Sequence, residues 1–114
     1  MAVTAEIWVR AHLRRCFAAG LTGAVVRRGA AEAGTIFVRV NLADGRVRLF
    51  GAPPGSAYDP SGERCWIAVM GEEPAMPDDA ESYLQRQLAR DPDIWIVDID
   101  DREGRGLLRV IDPS

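Results

Sequence analysis

Several stretches of this chain alternate apolar and polar positions with a readable period. In the first, Ala5, Val9, Leu13, Cys16 and Phe17 recur at helical spacing between Thr4, a suitable N-cap, and Gly20, a natural stop. The spacing predicts a helix with that stripe in the core. Ile7 and Trp8 fall to either side of it, placed to cover a sheet edge or a partner subunit. After Gly23, AVVRR reads as a short strand and residues 29–34 as a connection. TIFVRVN (35–41) then alternates strictly, and RVRLF (46–50) answers it across LADG.

Asp44-Gly45 is the strongest hairpin signal in the chain, because a type I′ turn needs positive φ at both central positions. A two-residue turn there sets Ala43 opposite Arg46, Asn41 opposite Arg48, Val40 opposite Leu49 and Arg39 opposite Phe50. One face of the hairpin then carries Ile36, Val38, Val40, Val47 and Leu49 and is core. The other carries Phe37, Arg39, Asn41, Arg46, Arg48 and Phe50.

Residues 51–64 hold three Pro and three Gly, which cannot sustain a ladder and predict a long irregular loop around Tyr58. CWIAVM (65–70) has strand composition. A second helix follows, with Asp78 as N-cap, Glu81 completing a capping box, Ala80, Tyr83, Leu84 and Leu88 as its apolar face, and Pro92 just past its end. From 94 to 100, Trp95, Val97 and Ile99 point one way and Ile94, Ile96, Asp98 and Asp100 the other. IWIVDI and GLLRVI around Asp101 to Arg105 read as a closing hairpin. The expected fold is α+β: a mostly antiparallel sheet of five to six strands with two helices packed on one face, in the order α-β-β-β-β-α-β-β, as a single domain over 1–114.

At 114 residues the chain can bury roughly two-thirds of its unfolded surface in one core. No apolar run approaches the ~20 residues of a bilayer span, and Glu6 interrupts the start, so a cytoplasmic setting without membrane contact is expected. All 14 basic residues are arginine. That excludes Schiff-base and P-loop lysine chemistry. Charge is unevenly spread: residues 1–57 hold eight arginines against Glu6, Glu32 and Asp44, while residues 58–114 hold six against fourteen acids. The two halves can pair within the fold or across a dimer, or leave a basic face for an anion.

Three constellations carry chemistry. Asp98 and Asp100 share a strand face, as a hard cation requires, but an EF-hand template over this stretch puts Glu103 where glycine is needed, and a strand surfacing into a turn explains the acids. His12 and Cys16 stand one helical turn apart as a base and a thiol, yet the only histidine has no second histidine and no cysteine pair to complete a tetrahedral site. The hairpin face of Arg39, Arg46 and Arg48 beside Phe37 and Phe50 joins phosphate-gripping groups to stacking rings, the pattern of a surface for anions or single-stranded nucleic acid. A solvated face paired with the acids of the second half is the plainer explanation. No GxSxG, HExxH, GxGxxG or Walker motif is present, and no cofactor, metal or catalytic residue is expected.

Taken together, EIWVRAHLRRC, RRGAAEAGTIFVRVN followed by DG, LFGAPP and DPDIWIVDIDDREGR resemble a family of small alphaproteobacterial proteins, the domain of unknown function 1491 family. The resemblance spans nearly the whole chain and implies one compact domain in a bacterial cytoplasm. It implies no activity, ligand or catalytic residue. Its signature positions include Arg14, Arg15, Arg27, Arg28, Gly29, Gly34, Asp91, Pro92, Asp93 and Trp95.

The functional expectation is therefore an interaction module that is not an enzyme. It would bind an unknown protein or itself as a homodimer, with Trp8, Arg14, Arg15 and Trp95 at the interface. An anion or nucleic-acid binder using the arginine and aromatic face is the first alternative, and a small metal-dependent hydrolase the second.

Overall fold

The computed structural model describes residues 3–111, which lie inside the 1–114 expected of one domain. In chain order the elements are α1 (Ala5–Ala18), β1 (Thr22–Arg27), β2 (Ile36–Asn41), β3 (Val47–Gly51), β4 (Cys65–Ala68), α2 (Pro77–Arg90), β5 (Trp95–Asp100) and β6 (Arg109–Val110). Thr4 caps α1 through Oγ1, which accepts from the Ile7 N–H at 3.3 Å. The cap of α2 is not Asp78: the helix starts two residues earlier, with Met76 at the N-cap and Pro77 in the first turn, where a missing N–H costs nothing.

The strands form one six-stranded sheet in the order β1-β5-β2-β3-β4-β6. It is mixed, correcting the mostly antiparallel expectation: β5 runs parallel to β2, and β6 runs parallel to β4. The cause is α2. After β4 the chain crosses back over the sheet through this helix and inserts β5 on the far side of β2, a return that yields parallel neighbours. Nor do β5 and β6 form a closing hairpin. Asp101 turns the chain by accepting from the N–H groups of Glu103, Arg105 and Gly106 at 3.0, 3.2 and 2.9 Å, and β6 lands at the opposite edge.

The β2–β3 hairpin forms one position out of the expected register. Its loop has three residues, not two: Leu42 pairs with Arg46, and only Gly45 takes a positive φ, +89°. A type I turn closed by a glycine bulge spares Asp44 the left-handed conformation that a type I′ turn would impose, and leaves its carboxylate to accept from the Arg46 N–H and Nε. Val40 therefore faces Arg48, Arg39 faces Leu49 and Val38 faces Phe50.

That shift redistributes the two faces. Ile36, Val38, Val40 and Phe50 join Trp95, Val97 and Ile99 beneath Ala5, Val9 and Cys16 of α1. Phe37, Leu49, Ile94 and Ile96 join Leu84 of α2 on the other side. The helices thus cover opposite faces of the sheet, correcting the one-face expectation. Burial on both sides explains why β5 reads as a nearly continuous apolar run.

Candidate functional site

The register places the five residues of the expected binding face apart. Phe37 and Arg39 lie under α2, whereas Arg48 and Phe50 lie on the α1 side. Both rings are buried, Phe50 completely and Phe37 at 6% exposure, so neither offers a plane for a base. Arg39 is committed to acids: Nε and Nη2 donate to both Asp98 oxygens at 2.9 and 3.2 Å, and Nη1 donates to Glu81 at 3.1 Å. Burial pulls its pKa down, but these carboxylates outweigh that and hold it above the ordinary value. Arg46 pairs with Asp44 at the hairpin tip, and the Arg48 guanidinium sits 4.9 Å from the Phe50 ring centre.

The expected interface residues scatter as well. Trp95 is buried, its Nε1 donating to the Ala30 carbonyl at 2.7 Å with the Arg28 guanidinium over its ring. Gly29 and Gly34 let the 28–35 connection lie against it, since a side-chain carbon at Gly29 would overlap the Asp93 carbonyl and the indole. Trp8 stacks on His12 at 4.5 Å, leans on Trp66 and is capped by Arg64. Arg14 and Arg15 are exposed on α1.

His12 and Cys16 do come together, around one carbonyl. The Gly106 oxygen accepts from His12 Nε2 at 2.8 Å and lies 3.9 Å from the Cys16 sulfur, while Arg15 approaches His12 Nδ1 at 3.4 Å. Burial lowers the His12 pKa, Arg15 lowers it further, and the Gly106 hydrogen bond opposes both. Burial raises that of Cys16, with Asp101 adding to it and Arg15 opposing. A neutral imidazole and a protonated thiol anchoring the 101–108 loop account for the pair. Asp98 and Asp100 do not form a cation site: Asp98 is held by Arg39, and Asp100 accepts from Thr22 and Asn41 at 3.1 Å each. Among the described residues no group of three or more His, Cys, Asp or Glu side chains could hold a metal ion, and no helix is long and apolar enough to cross a membrane.

An open cleft of about 530 Å³ lies between the start of α1, the 32–36 segment and the 51–64 loop, with Tyr58 and Arg64 at its wall. Arg64 donates to the Tyr58 hydroxyl at 2.9 Å. The helix N-terminus beside it is already satisfied, since Ala5 and Glu6 donate their N–H groups to the carbonyls of Glu32 and Ala31.

What pattern reading missed is the edge at β1. Phe17, expected in the core, is 80% exposed, and Val25 and Val26 are 41% and 53% exposed. The buried face of α1 is Ala5, Val9, His12 and Cys16; Phe17 follows Cys16 by about 100° around the helix and leaves it. Leu13 lies one turn before Phe17 on the flank that reaches Gly23 of β1. Two adjacent apolar residues at a helix end were the only signal available, and burial geometry alone separates them.

Comparison with known proteins agrees with this architecture. The solution structure of protein Atu0922 from A. tumefaciens is similar over 100% of this chain and 98% of that one, at 36% identity and a TM-score of 0.83. A crystal structure of a DUF1491 family protein from Caulobacter crescentus CB15 covers 98% of this chain and 100% of its own, at 33% identity and a TM-score of 0.77. An NMR structure of a DUF1491 family protein from the same organism gives 35% identity and 0.75 over 98% and 99%. No curated protein matches. The family model described as a protein of unknown function, DUF1491, matches residues 3–109, and the chain belongs to that family.

Proposed function

We propose that this chain is a protein-interaction module, not an enzyme, and that it docks through the β1 edge and the flank of α1 beside it. The observation that carries this reading is the exposure of Phe17, next to an edge strand whose Val25 and Val26 are also uncovered. Large apolar side chains gathered beside an open sheet edge mark interaction surfaces in soluble folds. The groups closest to an acid/base set, His12 and Cys16, spend their hydrogen bonds on the Gly106 carbonyl, which favours a structural role for them.

Photo-crosslinking in bacterial cells tests the reading. A photoreactive phenylalanine analogue at Phe17 or Val25 should yield discrete covalent adducts. The same group at Met76, exposed at the start of α2, should yield none. Absence of adducts from both edge positions would remove the proposal.

A further inference from the structure

We infer that the occupant of this edge is a second copy of the chain, joined by antiparallel β1–β1 pairing across a two-fold axis; the inference rests on the docking reading above. Among the described residues β1 is hydrogen-bonded on one side only, to β5, so the backbone groups on its other side are open to a further strand. In antiparallel pairing two residues stand opposite each other only when both backbones point across the junction or both point away from it. Neighbouring residues of a strand alternate in this, so a strand on its own copy sets one residue opposite itself, and the axis runs through a residue position.

An axis at Ala24 sets Gly23 of each copy opposite Val25 of the other. Both residues point to the α1 face, because their partners on β5 are Ile99 and Val97. Over Gly23 lies Leu13, with Phe17 one turn further along the same flank. Val25 of the second copy thus lands on Leu13 and Phe17, and the symmetry repeats the contact, so that both exposed valines and both exposed phenylalanines leave water.

The charges agree with the same operator. Among the described residues Asp100 has no ion pair and accepts only from Thr22 and Asn41. Arg27 has none either: it donates to the Pro92 carbonyl, and its Nε has no partner. A bulge at Val26 turns Arg27 opposite Ile96, onto the α2 face that also holds Asp100. A two-fold axis perpendicular to the sheet keeps each face continuous across the junction. It brings the second copy's Arg27 beside Thr22, one strand from Asp100, and does so twice. An unrelated strand would need no such match between the two ends of β1.

Sedimentation equilibrium of the full chain should show a monomer–dimer equilibrium, and Phe17→Glu should shift it to monomer. Cys16 and Cys65 are buried, so Ala24→Cys places an accessible thiol near the axis. Directly opposed strand residues have Cα atoms about 4.5–5.5 Å apart, within disulfide reach. Ala24→Cys should then lock as a covalent dimer far faster than Met76→Cys. The inference is overturned by a chain that stays monomeric with the two thiol variants crosslinking alike, and equally by a dimer that Phe17→Glu leaves intact and Ala24→Cys fails to lock. A monomer that still binds a synthetic peptide of residues 21–28 would overturn the second copy while the docking edge stands. A monomer that ignores the peptide would overturn both.

Discussion

Under α1 the sheet is closed by hydrocarbon and one neutral imidazole, whereas under α2 hydrocarbon shares the face with an ion network. Phe50, Val38 and Val97 are fully buried on the first side. There the His12 ring donates to a backbone carbonyl that the Cys16 thiol also approaches. On the second side Leu49 and Leu84 are as deeply buried, but Arg39, Asp98 and Glu81 join at the margin, where Glu81 remains half-exposed. The difference teaches where each helix draws its hold. α1 is fixed by packing and by the loop it anchors, with one ion pair at its first turn from Glu6 to Arg28. α2 is fixed by packing plus a network of charge on its sheet-facing side that salt and pH can reach.

The largest expected effect tests the hydrocarbon common to both faces. Phe50→Ala should cost about 3–5 kcal/mol and Leu49→Ala about 2–5 kcal/mol, the range for emptying a close-packed core. Denaturant unfolding measures both. A loss on one side under ~1 kcal/mol would mean that this face relaxes into the cavity, and the two sides would no longer count as one core in two halves.

How much of this was legible beforehand depended on which interactions were local. The alternation along β2 and β5 gave their facing correctly, because period two survives any choice of neighbour. The hairpin register did not, because it turned on a choice between two turns of different length, both suited to Asp44-Gly45. One added loop residue moved Phe50 and Arg48 to the side opposite Phe37 and Arg39 and dissolved the expected binding face. The parallel pairing of β5 with β2 was hidden for another reason: residues 59 positions apart meet only after α2 has crossed the sheet. Trp8, off the apolar stripe of its helix, and Trp95 read as interface residues, yet they are occupied by Trp66 and by the Ala30 carbonyl, partners distant in sequence.

A smaller effect separates the faces by charge. Arg39→Met keeps most of the stem and removes the donors, leaving the Asp98 carboxylate without its guanidinium. The expected loss is about 1–3 kcal/mol by equilibrium unfolding, shrinking as ionic strength rises. A neutral substitution would mean that solvent replaces the guanidinium at no cost, and α2 would then hold by packing alone.

The imidazole side should answer to pH instead. Burial lowers the folded-state pKa of His12 below its ordinary 6.5. The unfolded chain therefore takes up the proton first as pH falls, and the stability owed to the neutral ring is present above 6.5 and lost on acidification through the window beneath it. His12→Gln, which can still donate to Gly106, should flatten this slope in thermal midpoints measured between neutral and mildly acidic pH. Equal slopes in the two proteins would move the titration to another group and leave His12 a packing residue only.

The smallest effect sharpens the contrast between the buried and the open side of α1. Phe17 is 80% exposed, so Phe17→Glu should change the stability of the single chain by no more than ~0.5 kcal/mol, where a core phenylalanine would cost several. If β1 pairs with its own copy, the wild-type midpoint rises with protein concentration through mass action, because association stabilises only the folded chain. The variant should lose that rise while matching the wild type at high dilution. A variant less stable at every dilution would return Phe17 to the core of the monomer, the place its spacing had suggested.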